Sequence, residues 1–278
     1  MTGRAPIIVD GTSIAEHWLR DIAVRVRALG VPVHIACVLG EGDESLSRFV
    51  ELKRKAAHAC GIQFSVYPVA SEHEALDSVR WLASDTGAHG IFVELPLPSD
   101  WDEAAILAVI PLAKDVDVIT PAGEQDYYEN AGTIRPPAVG ALDRVMQVHD
   151  VARTGIAAVI GRGRLVGRPV AHWLESQGME VRTVDIDTSE PEDVVRTADI
   201  VVTGAGSPGL ITADWLKQGA AVFDYGYGKK DMKHVGDADR ESVIKRVSLL
   251  TPVPGGMGPL VIAATFENLL ELAMSPGS

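Results

Sequence analysis

Residues 157–174 read AAVIGRGRLVGRPVAHWL: an apolar run, then Gly161, Gly163 and Gly167, then a helix-like stretch. Glycines between a strand and a helix let the backbone approach a pyrophosphate and aim the first helical N–H groups at it. The spacing G-x-G-x-x-x-G is one residue longer than the common dinucleotide fingerprint, and glycine-rich turns also occur without a ligand. Two more such turns follow later apolar runs, Gly204-Ala205-Gly206 after IVVT and Gly226-Tyr227-Gly228 shortly after AVFD. Ligands of open α/β sheets sit at the carboxyl ends of strands, so three such turns point to a dinucleotide held by Gly161, Arg162, Gly163, Arg164, Val166, Gly167, Gly204, Gly206, Gly226 and Tyr227.

Asp185 and Asp187 follow the run EVRTV. An acidic residue there commonly accepts hydrogen bonds from the adenosine ribose and opposes a 2′-phosphate, which favours NAD over NADP. Arg162 and Arg164 are the counter-argument, since either could receive that phosphate. Asp187 could also merely cap the next helix.

The elements that must position these residues alternate along the chain. Helices are expected over 13–29, with Ser13 and Glu16 as a capping box, and over 45–60, 72–84 and 101–110. Strands are expected over 33–39, 63–69 and 91–95. A less regular stretch, about 114–137, reads as functional loop and connection. A second series has strands at 157–160, 180–184, 200–203, 220–223 and 247–250, a helix over 166–176, a short helix before 200, and a long amphipathic helix over about 259–273. Alternation of this kind implies parallel strands joined by helical crossovers.

At 278 residues, two domains are the default. A formal net charge of -13 makes nucleic acid and anionic membrane poor partners. No apolar run reads as a bilayer span, and the N-terminus lacks a signal-peptide layout, so a cytoplasmic protein is expected. The two cysteines, Cys37 and Cys60, read as reduced packed thiols, and the scattered histidines suggest no metal.

Six segments carry more than a generic dinucleotide fold: FVELKRKAA (49–57), GIFVELPLP (90–98), KDVD (114–117), GRGRLVGRP (161–169), GAGSP (204–208) and TPVPGGMGPL (251–260). Their order and spacing resemble the methylenetetrahydrofolate dehydrogenase/cyclohydrolase family across nearly the whole chain. The resemblance implies an N-terminal catalytic α/β domain over 1–137, a Rossmann-like dinucleotide domain over 138–258, and a C-terminal helix (259–278) packing back on the first domain. It also implies a folate cleft between domains, a homodimer, and oxidation of 5,10-methylenetetrahydrofolate with NAD or NADP, often followed by hydrolysis of the methenyl product. By motif, Lys53 corresponds to the family's catalytic lysine and Asp117 to its aspartate. A carboxylate suits the donor edge of a 2-amino-4-oxo pterin, because it accepts two parallel N–H bonds. Phe49, Leu95, Pro96, Gly255, Gly256 and Leu260 would line the substrate, and Glu94 would pair with Lys53 at the reacting carbon. Asp115 reads as structural.

The chain departs from the family pattern around that pocket. Phe49 stands for a tyrosine, Glu94 for a glutamine, and Leu46, between Ser45 and Ser47, for a serine. Residues 118–123 (VITPAG), 135–138 (RPPA) and Val261 also differ. A dehydrogenase with weak or absent cyclohydrolase activity is the reading these changes favour. A divergent enzyme for another one-carbon or pterin-like substrate, and a non-catalytic ligand-binding relative, stay open.

Overall fold

The computed structural model describes residues 5–42, 44–230 and 233–275. The chain forms two compact units, Glu16–Pro137 with Ile262–Ser278, and Met1–Ala15 with Ala138–Val261. The opening residues therefore depart from the expected boundary. Ile7–Ile8 pairs in parallel with Leu249–Leu250, which ties them to the second unit.

In the first unit His34–Gly40 is the central strand, flanked in parallel by Gln63–Val69 and Gly90–Val93. Side chains alternate across a strand. Ala36, Val38, Ile91 and Val93 thus share one buried face with Val79 and Leu82 of the helix Glu72–Ser84 and with Ile106 and Leu107. Cys37, paired with Phe92, lies on the opposite face, and Glu94 follows Phe92 by two residues. In the second unit six parallel strands run in the order Glu180–Val184, Ile156–Ile160, Ile200–Thr203, Ala221–Asp224, Leu249–Leu250, Ile7–Ile8. The order reverses between Ile156–Ile160 and Ile200–Thr203. In an open α/β sheet that reversal opens a crevice beyond the strands' carboxyl ends.

Several local expectations change. The helix Gly11–Leu29 starts ahead of Ser13, and its cap is Asp10, whose Oδ1 accepts from Ser13 N at 3.0 Å. The helix expected over 101–110 spans only Glu103–Leu107, capped by Asp102. The stretch read as loop contains a helix, Pro121–Tyr128, opened by Thr120 and an N-terminal proline. The helix Pro137–Val148 is unexpected, although Ala138, Leu142, Val145 and Met146 recur at helical spacing and are buried; the hairpin Gly228–Lys230/Lys233–Val235 is unexpected too. The last helix, Met257–Met274, is less amphipathic than expected: Leu260, Ala263, Ala264, Phe266, Leu269 and Leu270 are all buried. Its length and composition alone would suffice to cross a bilayer, contrary to the expectation of no such run, yet 56% of that span is buried within the protein. A helix apolar on most sides is what a core position produces.

Candidate active site

Lys53 projects from the helix Glu44–Cys60 and donates its Nζ to Glu94 Oε2 at 2.6 Å. The same ammonium lies 4.3 Å from the centre of the Phe92 ring. Period-two alternation brings Phe92 and Glu94 to the helix side of the sheet, so strand geometry makes this pairing. Only 17% of the Lys53 side chain and 8% of the Glu94 side chain are exposed, which sets this pair apart from a solvated surface bridge. Burial lowers the Lys53 pKa, but Glu94 and Asp117, with the Glu94 hydrogen bond, more than offset it and hold the amine above its ordinary value. Burial pushes the Cys37 thiol up, and Glu94 adds to the rise. Phe49, one helical turn before Lys53, is half-buried.

Asp115 and Asp117 sit two residues apart and do different work. Asp115 is 1% exposed; its carboxylate accepts from Ile119 N and Thr120 N, at 2.8–3.1 Å, and so anchors the start of the helix Pro121–Tyr128. Gly123 passes so close that an added methyl would lie 2.4 Å from Asp115 Oδ2. Lys114 is equally structural, its Nζ donating to the carbonyls of Leu82, Ala83 and Asp85 at the end of a helix. Asp117 is only partly buried and accepts from Thr265 Oγ1 at 3.1 Å. Burial pushes its carboxyl up to about 6; Asp115 and Glu94 push the same way, while Lys53 and the Thr265 bond pull against them. The next residue, Val118, has φ 54°, a left-handed conformation that a β-branched side chain resists. Lys53, Glu94 and Asp117 thus converge from a helix, a strand end and a strained loop.

In the second unit the glycine turns meet at the crevice. A methyl on Gly167 would lie 1.9 Å from Gly161 O, and one on Gly161 would lie 2.9 Å from Gly204 O. Gly161 has φ 90° and Gly206 φ 66°, both natural only for glycine. Val166 packs over Gly204, its Cγ1 3.1 Å from where a side chain would begin. The helix Gly167–Ser176 starts here, and no side-chain hydrogen bond caps its first residue. A cradle too narrow for any Cβ, closed by an uncapped helix start, fits a dinucleotide pyrophosphate. Gly163 has open space around it. Arg162 reaches Asp185 at 3.4 Å, while Asp185 Oδ1 also accepts from Thr188 Oγ1 and Asp187 N. Those bonds, the Thr188 one first, hold the Asp185 carboxyl below its usual range. Asp187 meets that carboxylate through its backbone N–H, and its side chain is exposed.

Three expected site residues have other structural duties. Gly226 is buried where a methyl would lie 2.4 Å from Asp237, and Tyr227 stacks on His234 with ring centres 4.6 Å apart. Leu260 is fully buried and packs in the core. Gly255 takes φ 92°, and the carbonyl oxygen of Gly256 would meet a methyl on Gly11 at 1.9 Å. Leu95 is half-buried and Pro96, joined to it by a cis peptide, is exposed.

Sequence reasoning missed two residues that shape the dinucleotide turns. Asp237, with no exposed surface, accepts from Thr203 Oγ1 at 2.8 Å and from Ala205 N and Ser207 N at 2.7 Å. Asp224, at the end of its strand, accepts from the backbone of Gly226, Asp237 and Ala238. Burial pushes the Asp224 carboxyl up to about 6 against those bonds. An acid closing the AVFD strand was the only hint of the pair in the sequence.

Comparison with known proteins agrees with this layout. The catalytic domain of tetrahydrofolate dehydrogenase/cyclohydrolase matches residues 9–117, and the NAD(P)-binding domain of the same family matches residues 136–276. The bifunctional protein FolD 3 of Ectopseudomonas mendocina is 35% identical, over 98% of this chain and 93% of its own length. The bifunctional FolD methylenetetrahydrofolate dehydrogenase/cyclohydrolase of Campylobacter jejuni superposes with a TM-score of 0.93 at 30% identity, over 97% of this chain and 99% of that one. The Trypanosoma brucei enzyme, solved with NADP cofactor and inhibitor, gives 0.92 at 30% identity, over 97% of this chain and 98% of that one. The chain belongs to the tetrahydrofolate dehydrogenase/cyclohydrolase family.

Proposed function

We propose that this chain oxidises 5,10-methylenetetrahydrofolate to the 5,10-methenyl form, and that its hydrolysis of the methenyl form is weak. The observation that carries the reading is the convergence of Lys53, Glu94 and Asp117 in the unit that matches the family's catalytic domain. The nicotinamide cofactor, when bound, accepts the hydride. Gly161, Arg162, Gly163, Arg164, Val166, Gly167, Gly204 and Gly206 would hold its dinucleotide, with Asp185 and Asp187 at the ribose. Asp117 accepts the pterin's N–H edge, Phe49 stacks on the folate, and Leu95 and Pro96 border it. Orientation of two bound rings is the main demand of hydride transfer, and the Lys53–Glu94 pair leaves that intact.

Hydrolysis asks more of Lys53. A water must lose a proton as its oxygen bonds to the methenyl carbon, and an amine can take that proton only when neutral. Glu94 at 2.6 Å holds the amine charged, where a neutral amide would not. The cofactor is NAD: the ends of Asp185 and Asp187 oppose a 2′-phosphate, and Arg162 is already paired with Asp185. The assembly is read as a homodimer on the family resemblance alone, and the compartment as the cytoplasm. The decisive experiment follows methenyl absorbance from methylenetetrahydrofolate with NAD and with NADP. Turnover preferring NAD is expected; a clear NADP preference overturns the cofactor assignment, and no turnover with either overturns the activity.

A further inference from the structure

The last helix grips the Asp117 loop at two consecutive residues. Thr265 donates Oγ1 to Asp117 Oδ1 at 3.1 Å. Asn268, three residues on and so on the same helical face, donates Nδ2 to the carbonyl oxygens of Val116 and Arg135, each at 2.8 Å. Both side chains are buried, Thr265 3% and Asn268 6% exposed. Asn268 holds the loop's backbone; Thr265 is the contact that reaches the carboxylate. The loop is strained at Val118, with φ 54°, and strain of this kind persists only where surrounding structure over-determines it. Apolar residues would suffice if this helix position had to do no more than pack.

We propose that Thr265 is a positioning residue for folate recognition: its hydroxyl orients the Asp117 carboxylate and favours its ionised form, so the last helix sets the pH above which the pterin is bound. This rests on the reading of Asp117 as the pterin anchor. A neutral carboxyl offers one acceptor oxygen and one donor, whereas the pterin edge presents two donors and requires the anion. The charged and titratable groups around Asp117 are Lys53 from the helix, Glu94 from the strand end, Cys37 from the central strand and Asp115 from its own loop. Lys53 alone favours the anion, and it is shared with Glu94. The Thr265 hydroxyl is the second group pulling toward ionisation.

The test measures the pH profile of KM for methylenetetrahydrofolate, and the carboxyl titration of Asp117 by carbon NMR in the full chain, for wild type, Thr265→Val and Thr265→Ser. Loss of a hydrogen bond to a charged group should move the Asp117 midpoint up by about one pH unit. KM near pH 6 should then rise about 3–10-fold and converge on wild type above about pH 8, with kcat changing much less. Serine keeps the hydroxyl and should restore both profiles. An unmoved carboxyl midpoint overturns the proposal at Thr265. A moved midpoint with an unmoved KM profile overturns it at the anchor role of Asp117, so the two failures are distinguishable. If Thr265→Val does not fold, Thr265→Ala, which overpacks nothing, carries the same measurements.

Discussion

Asp237 and Asp117 are both aspartates placed by loops, one in each unit, and they are held in opposite ways. Asp237 is saturated: three donors from the turn 203–207 fill its carboxylate, and no surface is exposed. Asp117 is partly exposed and takes its described hydrogen bond from a single hydroxyl. Asp115, two residues away, follows the Asp237 pattern. A buried carboxylate filled by N–H groups builds the backbone around it, because removing it strands several donors at once. A carboxylate with spare acceptor capacity costs the fold something and is available to a ligand. The glycine turns therefore depend on Asp237, whose carboxylate their own donors fill, whereas the other unit holds one acid of each kind, Asp115 filled by backbone and Asp117 with acceptor capacity to spare.

The sharpest way to break this contrast is to remove each acid. Asp237→Ala strands the Thr203 hydroxyl and two N–H groups, and should cost at least about 3 kcal/mol of stability by denaturant unfolding. A loss below about 1 kcal/mol would mean that water or a shifted turn satisfies them. Asp117→Asn should leave stability within about 1 kcal/mol yet weaken folate binding about 10–100-fold, the scale of a charge-assisted hydrogen bond. Comparable losses of stability in both variants would erase the distinction.

Glu94→Gln tests the next smaller effect. It releases Lys53 from its anionic partner, and hydrolysis of methenyltetrahydrofolate should rise about tenfold, equivalent to about 1.4 kcal/mol, when its decay is followed above the uncatalysed rate. Fast hydrolysis by wild type, or none gained by the variant, would show that the ion pair does not limit this step.

The smallest effect is a slope with pH. The Asp117 pKa is raised from the usual carboxylate value to about 6. From about pH 4 to 6 the folded state thus keeps a proton that the unfolded chain has released, and this residue's contribution to stability falls as pH rises. Relative to wild type, Asp117→Asn should gain up to about 1 kcal/mol across that window, allowing for water at the exposed edge, and then level off. A gain growing as pH falls would reverse the assigned sign.

Much of this was legible before folding. Short apolar runs announced the strands, since a segment such as HIACVL is β-branched-rich, too short for a typical helix and bounded by turn residues. Glycines marked the cradle, because only glycine tolerates φ 90° at position 161. Local boundaries were less legible. Asp10 rather than Ser13 caps the first long helix, and both types suit a cap equally. The helix Pro121–Tyr128 was hidden although Thr120 and Pro121 are a local start signal, because only Gly123 and Tyr127 in it are buried and no apolar stripe follows the start.

By itself the amino-acid sequence determined the alternation of strands and helices, the places where backbone must pass close to backbone, and the presence of Lys53, Glu94 and Asp117. Those follow from side-chain size, backbone freedom and residue type, which are local properties. Tertiary structure alone decided that Lys53 meets Glu94 at 2.6 Å, that Asp237 fills the turn 203–207 and that Thr265 reaches Asp117 from 148 residues away. A charge or a hydroxyl acquires its role from what surrounds it, and burial and hydrogen-bond partners exist only once distant segments have packed.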